Sequence, residues 1–111
     1  MVGRPPRRDE VWLVSLDPAQ GAETQKTRPC LVVSPDEMNQ HLRTVIVAPM
    51  TAVVCSYPTR VPIRFKGKDG QIALDQLRAI DRQRLVRKLG AVAAGTAQAA
   101  SAILIEIFSR A

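Results

Sequence analysis

Two side chains in this sequence of 111 residues are suited to holding a phosphate group. Arg28 comes just before one apolar run of the chain, and Thr51 comes shortly after the next such run. If the two runs are adjacent strands whose ends meet, the guanidinium could supply a charge-assisted fork and the hydroxyl a directed donor to one phosphate. The alternative is structural, with Arg28 paired to Asp17 or Glu23 and with Thr51 capping a turn. The spacing alone leaves both interpretations open.

The rest of the sequence offers little acid–base or metal chemistry. Its one histidine, His41, lies in a polar connector, where a surface histidine is a better interpretation than a catalytic one. Cys30 and Cys55 stand in unrelated contexts, which fits a reduced cytoplasm rather than a disulfide scaffold or a zinc site. The sequence contains no HExxH, GxGxxG, P-loop or metal-loop pattern. We therefore expect no metal and no cofactor.

The charge balance favours a polyanionic partner. Sixteen Lys and Arg against ten Asp and Glu give a formal net charge of +6. This balance favours nucleic acid first and an acidic protein second, although a solvated cationic surface gives the same count. The longest uncharged apolar stretch, residues 91–105, is interrupted by polar residues and is too short to span a membrane. The N-terminus lacks the apolar segment of a secretory signal, so we expect a cytoplasmic protein without membrane contact.

Short apolar and alternating runs predict the elements that must position Arg28 and Thr51. The strand period of two residues and the turns rich in Pro and Gly indicate a small, strongly bent sheet or open barrel. A tight hairpin turn is predicted at residues 66–70, and Pro62 favours an edge strand. The predicted strands cover residues 10–15, 30–34, 44–48, 60–65, 71–75 continued by 77–80, and 84–92, and the predicted loops cover residues 19–29 and 50–59.

Two helices are expected. A short helical turn follows the second strand and is capped by Ser34 or Asp36. A longer amphipathic helix over residues 96–110, capped by Thr96 or by a preceding turn, packs on the sheet. Ile105 projects from the polar side of this helix. The apolar positions that follow the helical period are Ala100, Ile103, Leu104, Ile107 and Phe108.

Several short motifs occur in the order and spacing of one known family. They are Val11-Trp12-Leu13-Val14, Leu16-Asp17-Pro18, Gly21-Ala22-Glu23, Lys26-Thr27-Arg28-Pro29, Leu31-Val32-Val33-Ser34-Pro35, Val47-Ala48-Pro49-Met50-Thr51, Tyr57-Pro58-Thr59 and Leu74-Asp75-Gln76-Leu77-Arg78. With these motifs, residues 8 to about 108 resemble the MazF/PemK family, the toxins of bacterial type II toxin–antitoxin pairs.

The resemblance implies a fold and an activity. The fold is a mostly β, SH3-like barrel of five to seven strongly bent antiparallel strands with a C-terminal helix. The chain then divides into a basic N-terminal tail, residues 1–7, and one barrel domain, residues 8–111. The activity is metal-independent, sequence-specific cleavage of single-stranded RNA, which leaves a 2′,3′-cyclic phosphate and a 5′-hydroxyl. The implied partners are a second copy of the chain, as a homodimer, and an acidic antitoxin protein.

The resemblance also assigns site residues. The family's catalytic arginine corresponds to Arg28, its catalytic hydroxyl to Thr51, and its acidic residue to Glu23. A guanidinium is suited to stabilising a phosphorane and poorly suited to removing a proton, so proton removal falls to Glu23 or to a water. Gln76 corresponds to an RNA-facing residue. The other expected substrate-binding residues are Lys26, Asp17, Tyr57 and Arg78, with Tyr57 either stacking on a base or packing on Pro58.

One departure from the family pattern and two alternatives bear on these expectations. Asp9 replaces a usual glycine before the first strand, and Asp is among the residues that tolerate a positive φ. One alternative function keeps the fold in a non-enzymatic toxin that binds a protein target such as gyrase. The other is a plain nucleic-acid-binding domain that uses a basic run near the C-terminus, although a solvated face is the commoner fate of such a run. This run comprises Arg78, Arg82, Arg84, Arg87 and Lys88.

Overall fold

The computed structural model describes residues 3–17 and 26–110, without the side chains of Asp17 and Lys26. Within these ranges the chain forms seven strands and two helices, with a 3-10 turn on either side of the sixth strand. In chain order they are β1 (Glu10–Asp17), β2 (Lys26–Val32), α1 (Asp36–His41), β3 (Thr44–Thr51), β4 (Arg60–Phe65), β5 (Lys68–Ala73), the turn Leu74–Gln76, β6 (Arg78–Asp81), the turn Arg82–Arg84, β7 (Leu85–Ala91) and α2 (Ala94–Phe108). This architecture confirms the predicted mostly β fold with a C-terminal helix.

The strands form one curled antiparallel sheet around β3. The order is β4-β5-β3-β2-β1-β7, and β6 also pairs with β3. Val47 of β3 pairs with β2 on one edge and with β6 on the other, whereas the last two residues of β3 pair with β5. The 3-10 turn Leu74–Gln76 separates β5 from β6, so the continuous return strand predicted there is wrong. β4 lies at the edge of the sheet, as Pro62 predicted.

The central strands are buried on both faces, which explains their nearly continuous apolar runs. Val11 and Leu31 belong to a core that is covered by α2. Trp12 and Cys30, on the opposite face of the same strands, belong to a second core that the curled sheet closes with β6 and β7. Because successive side chains in a strand point to opposite faces, a strand between two cores must be apolar at every position.

The C-terminal helix packs on the first core through fewer residues than its period predicted. Ala100 is buried, and Ile103 and Leu104 pack partly on the core, but Ile107 and Phe108 are exposed. The apolar period defines a face of the helix without showing how far the sheet beneath it extends. Ile105 is 68% exposed, as expected from its position on the polar side. No helix in the described part of the chain is long and apolar enough to cross a membrane.

The side-chain caps predicted for the two helices, Thr96 for the longer one and Ser34 or Asp36 for the shorter one, are wrong. α2 begins at Ala94 and has Ala93 at its N-cap without a side-chain bond, so Thr96 lies inside the helix. α1 likewise has Pro35 at its N-cap. The carboxylate of Asp36 instead accepts a 2.7 Å hydrogen bond from the backbone N–H of Arg8. A backbone N–H far away in the sequence thus takes the Asp36 side chain that the local pattern assigned to a helix cap.

The two strands that carry the candidate site are longer than predicted. β2 begins at Lys26 and includes Pro29, and β3 continues through Pro49 to Thr51. Proline is tolerated in a strand where no ladder hydrogen bond is required of its nitrogen. Both prolines lie where the pairing changes, since β2 pairs with β3 from Cys30 onward and β3 joins β5 just after Pro49. Arg28 therefore lies within a strand and not at the end of a loop.

Two turns require positive φ angles. Lys66 and Gly67, with φ of 50° and 78°, form a two-residue hairpin turn between β4 and β5. Asp9 has a φ of 73°, which matches the conformation expected for the residue that replaces glycine. Its N–H donates to the carbonyl of Val32 at 2.9 Å, and its carbonyl accepts from the N–H of Val92 at 3.0 Å. The replacement therefore keeps the turn that joins the first strand to the core.

Glu10 is a buried carboxylate that collects donors from four parts of the chain. It accepts hydrogen bonds from the Arg4 guanidinium, the Arg7 backbone N–H and the Trp12 indole, and its carboxylate lies 3.0 Å from Nζ of Lys88. Burial by itself raises the pKa of Glu10, but these bonds outweigh it and hold the pKa at about 2. The charged carboxylate thus ties the N-terminal segment and β7 to β1.

Candidate functional site

The register of two strands brings Arg28 and Thr51 to the same end of the sheet. β2 and β3 pair antiparallel, and the last pair toward this end is Cys30 with Pro49. Arg28 and Thr51 each lie two residues beyond that pair. Since strand side chains alternate, Arg28 shares a face with Cys30, and Thr51 shares a face with Pro49. The two apolar runs are thus adjacent strands whose ends meet, as Arg28 and Thr51 require if they are to hold one phosphate.

A cleft of about 490 Å³ opens at this end of the sheet. Its wall includes four residues that the sequence singled out, Arg28, Thr51, Gln76 and Arg78, together with Arg60 and Cys55. Three arginines and no carboxylate from the described residues line the cleft. Positive charge concentrated in a concave surface attracts anions such as phosphates. The cleft thus joins the two predicted phosphate-holding side chains to an electropositive wall.

The hydroxyl of Thr51 is oriented by the turn that follows β3. Its Oγ1 accepts a 3.1 Å hydrogen bond from the backbone N–H of Val53. This is the turn contact that the structural alternative predicted for Thr51. A hydroxyl that accepts one bond can still donate its own proton to another acceptor. The turn contact therefore orients the Thr51 hydroxyl and leaves its proton available for a second acceptor.

Cys30 is a buried residue close to two arginines of the cleft wall, Arg28 and Arg78. Burial raises the pKa of its thiol to about 12, while the positive charges of Arg28 and Arg78 act in the opposite direction. The thiol lies 3.7 Å from the carbonyl oxygen of Arg28. Cys30 is therefore a packed, protonated core residue, and it supports the strand segment that carries Arg28.

Gln76 enters the cleft from the turn between β5 and β6, and Arg78 enters it from the start of β6. Gln76 ends the 3-10 turn, and Arg78 begins β6 directly opposite Val47 of β3. The turn lies where the partner of β3 changes, because β3 pairs with β6 up to Val47 and with β5 from Met50 onward. The sequence predicted a continuous strand here. The observed 3-10 turn instead places the side chains of Gln76 and Arg78 on the cleft wall.

Tyr57 reaches the site through Arg60. The Cζ atom of Arg60 lies 5.4 Å from the centroid of the Tyr57 ring, which is a cation–π distance. Tyr57 is 58% exposed. Arg60 forms a fork with Asp75, in which Nε donates to Oδ1 at 2.7 Å and Nη2 donates to Oδ2 at 3.3 Å. The exposed ring of Tyr57 thus lies against a guanidinium that Asp75 holds in the cleft wall.

The remaining predicted site residues are placed as follows. Glu23 lies outside the described residues. Asp17 and Lys26 pair with each other where β1 and β2 enter the connecting segment, and their side chains are outside the description. His41 is exposed in α1, with Nδ1 2.8 Å from the carbonyl oxygen of Glu37, which agrees with a surface role.

Much of the basic run near the C-terminus contacts the chain itself. Arg82 donates to the carbonyl of Leu42, and Lys88 pairs with Glu10. Arg84 donates to the carbonyls of Ser15 and Leu16, each at 3.1 Å. These bonds fix the end of β1 and the strand order. They reduce the support for a nucleic-acid-binding face built from this run alone.

Arg60 is the charged cleft residue that the sequence did not single out, and Cys55 was placed only within the predicted loop of residues 50–59. Arg60 reads as the polar start of an alternating strand, and Cys55 reads as an isolated thiol in a loop. One signal was available, because Arg60 follows the motif Tyr57-Pro58-Thr59 directly. Its partner Asp75, however, is fifteen residues away, and only the pairing of β4 with β5 brings the two together.

Comparisons with known proteins give the same family as the motifs. The family described as PemK-like, MazF-like toxin of type II toxin–antitoxin system matches residues 7–108. The chain therefore belongs to this toxin family.

Solved structures of MazF toxins have the same fold. A MazE–MazF structure from Deinococcus radiodurans is 23% identical, with a TM-score of 0.85 over 98% of this chain and 100% of that chain. A MazF toxin of Mycobacterium tuberculosis is 24% identical, with a TM-score of 0.76 over 89% of this chain and 95% of that chain. An endoribonuclease in complex with its cognate antitoxin from a mycobacterial species is 24% identical, with a TM-score of 0.77 over 91% and 92%.

Proposed function

We propose that this chain is the toxin of a bacterial type II pair and a sequence-specific endoribonuclease that cleaves single-stranded RNA without a metal. The observation that carries the proposal is the convergence of Arg28 and Thr51 on one electropositive cleft. A family relative of the same fold is described as an endoribonuclease. The products are a fragment that ends in a 2′,3′-cyclic phosphate and a fragment that begins with a 5′-hydroxyl.

The chemistry asks little of the protein beyond charge and orientation. The ribose 2′-oxygen attacks the phosphorus, the bond from phosphorus to O2′ forms, and the bond to O5′ breaks. Arg28 donates two N–H groups to the oxygens of the dianionic phosphorane, and Thr51 donates its hydroxyl to the same group. Because a guanidinium keeps its proton, Glu23 or a water takes the proton from the 2′-hydroxyl. The protonated Glu23 or a water delivers a proton to O5′ as it leaves, so one proton is removed and one is returned.

The positive charge for this step comes from side chains. Three arginines line the cleft, and an arginine fork stabilises phosphate charge in the way that a metal ion does elsewhere. Within residues 3–17 and 26–110, no three His, Cys, Asp or Glu side chains come together as a metal-binding group. The arginines of the cleft thus support the proposed cleavage without a metal or cofactor.

The substrate-binding residues surround this centre. Gln76 of the 3-10 turn and Arg78 of β6 contact the RNA, and the ring of Tyr57 offers a face on which a base can stack. Asp17 and Lys26 flank the connection between β1 and β2, which together with the residues after Thr51 reads the target sequence.

The proposed partners follow from charge and from the relatives. An acidic, disordered antitoxin segment lies along the basic cleft and orders on binding, which silences the toxin in its own cytoplasm. The Deinococcus and mycobacterial relatives are MazE–MazF or antitoxin complexes. A homodimer forms through a second surface of α2, away from the core, where the apolar side chain of Ile105 is exposed in the single chain.

The test is cleavage of a single-stranded RNA pool by the purified chain in EDTA, with the fragment ends determined. We expect 5′-hydroxyl ends, which a kinase labels without prior phosphatase treatment, and cyclic phosphates on the other fragments. An Arg28→Ala protein purified identically controls for contaminating nuclease. An all-deoxy substrate controls for the need of a 2′-hydroxyl.

Two outcomes would contradict the proposal. Activity that is lost in EDTA and restored by Mg²⁺ or Mn²⁺ would overturn the metal-independent mechanism. Growth inhibition by the chain without cleavage of any RNA would favour the alternative, a non-enzymatic toxin that binds a protein target such as gyrase.

A further inference from the structure

We propose that Tyr57 and Arg60 form a stacking platform for one nucleobase beside the reacting phosphate, and that Asp75 is the residue that positions this platform. The proposal rests on the proposed function in one respect, since it takes the ligand of the cleft to be single-stranded RNA. It assigns the stacking face to the exposed ring of Tyr57, the support of that ring from the cleft to Arg60, and an indirect role to Asp75.

The guanidinium of Arg60 is held in a fixed plane. Both oxygens of Asp75 accept from it, Oδ1 from Nε at 2.7 Å and Oδ2 from Nη2 at 3.3 Å. Thr59 donates its hydroxyl to the same Oδ1 at 3.0 Å, which fixes the carboxylate in turn. The Arg60 side chain is only 7% exposed, in contrast to most surface arginines. This is a built arrangement, because a bidentate fork restricts both distance and plane.

A second ion pair on the same hairpin shows the contrast. Arg64 and Asp69 also join β4 to β5, through one contact of 3.0 Å between Nη1 and Oδ1. Their side chains are 68% and 77% exposed. Exposed pairs of this kind contribute little and orient little. The hairpin therefore carries one ordinary surface pair and one pair whose arginine side chain is buried at the cleft.

The position of Arg60 and Tyr57 beside the phosphate-holding residues indicates which ligand they contact. Arg60 lines the cleft together with Arg28 and Thr51, and the Tyr57 ring that covers its Cζ at 5.4 Å is more than half exposed. Bases splayed out of single-stranded RNA stack on aromatic rings and on arginine planes. A ring and a guanidinium held against each other beside a phosphate clamp fit a nucleotide adjacent to the scissile bond.

Asp75 acts through Arg60. It is not among the residues that form the cleft wall. The hydrogen bond from Arg60 lowers the pKa of Asp75, so the carboxylate is charged at neutral pH and the fork is complete. Replacing Asp75 with Asn keeps its size but removes the charge and one of the two acceptor oxygens, which leaves the guanidinium free to rotate away from the ring.

Tyr57 is the single tyrosine of the chain, so biosynthetic 3-fluorotyrosine gives one fluorine resonance at the platform. The probe is a random-sequence deoxyoligonucleotide of about 12 nucleotides, which binds like a single strand and cannot be cleaved by 2′-hydroxyl attack. The variants are Asp75→Asn and Arg60→Lys. The matched controls from the exposed pair are Asp69→Asn and Arg64→Lys. Titrations and RNA cleavage kinetics are measured for all of them.

We expect the probe to shift the Tyr57 resonance of the wild type and of both controls. Asp75→Asn and Arg60→Lys should bind the probe about fivefold or more weakly and show a changed resonance before any ligand is added. In cleavage, Asp75→Asn should raise KM by a similar factor and leave kcat within about twofold. A structural defect would instead lower kcat and the melting temperature together.

The inference is overturned if the probe binds without moving the Tyr57 resonance, or if Asp75→Asn binds like Asp69→Asn. Its failure is distinguishable from failure of the proposed function. A wild type that cleaves RNA with an unperturbed Tyr57 signal keeps the function and rejects the platform. A wild type that cleaves nothing, but whose Tyr57 signal moves in an Asp75-dependent way, keeps the platform as a nucleic-acid site.

Discussion

The side chain of Gln71 holds both backbone polar groups of Cys55. Nε2 of Gln71 donates to the Cys55 carbonyl at 2.8 Å, and the Cys55 N–H donates to Oε1 at 3.0 Å. Gln71 is itself buried in β5, opposite Thr51. The segment after β3 has no strand partner of its own, and this amide takes the place of one. Part of the cleft wall is therefore ordered before any ligand binds, which lowers the entropic cost of binding.

Cys55 should report on occupancy of the cleft. Its thiol is partly exposed in the cleft wall, whereas Cys30 is fully buried with its pKa raised to about 12. Because the thiolate is the reactive form, we expect iodoacetamide to modify Cys55 and to leave Cys30 untouched in the folded protein. A bound deoxyoligonucleotide should slow the modification, as followed by peptide mass spectrometry. Cys55→Ser is the control, and equal labelling of Cys55 with and without the oligonucleotide would contradict the placement.

The buried carboxylate of Glu10 should make stability depend on acid pH. Its pKa is about 2 in the folded chain, against 4.5 for an ordinary glutamate. The folded state therefore stabilises the charged carboxylate relative to the protonated one. The contribution is fully present above about pH 4.5 and is lost as the pH falls toward 2. It amounts to about 3 kcal/mol.

Denaturant unfolding at pH 7 and at pH 3 checks this contribution. Glu10→Gln should destabilise the protein at pH 7 by roughly 1–3 kcal/mol, because Arg4 and Lys88 then lose their carboxylate. The difference between Glu10→Gln and the wild type should shrink at pH 3. Asp69→Asn, which removes an exposed pair, should change the free energy of unfolding by less than about 1 kcal/mol. A difference that is equal at both pH values would show that the carboxylate is not charged in the folded chain.

The exposed apolar face of α2 should lie in the homodimer. Ile105 and Phe108, one helical turn apart, are 68% and 72% exposed. Burying one such side chain contributes about 1.5–3 kcal/mol, and a homodimer buries two copies of it, so Ile105→Asp should weaken dimerisation by about a hundredfold or more. Sedimentation at micromolar concentration measures this, with Glu106→Gln as the neighbouring control. A monomeric wild type would reject the homodimer, and an unaffected Ile105→Asp dimer would reject this face as its interface.

The sequence predicts those parts of the site that depend on strand period and on local motifs. Arg28 and Thr51 were identified because each adjoins an apolar run, and the register of two long buried strands does bring their positions together. The turn at Asp9 was also predictable, since few residues other than glycine accept a positive φ as readily. These features depend on neighbours in the chain or on one strand pairing.

Other features depend on contacts that no local pattern encodes. The partnership of Arg60 with Asp75 requires the register of β4 against β5, and the entry of Gln76 requires a 3-10 turn that interrupts an apolar run. The exposed last turn of α2 depends on where the sheet beneath it ends. Tertiary packing decides each of these cases over local propensity.

The most direct test of the central claim compares Arg28→Ala, Thr51→Ala and Thr51→Ser in single-turnover cleavage of RNA in EDTA. Losing one donor to the phosphorane should lower the rate by roughly 10²–10³ in each alanine variant, with the fold intact by circular dichroism. Thr51→Ser, which keeps the hydroxyl, should retain most of the activity, and Arg64→Ala should match the wild type. A folded Arg28→Ala protein that cleaves at the wild-type rate would contradict the phosphate clamp on which the account depends.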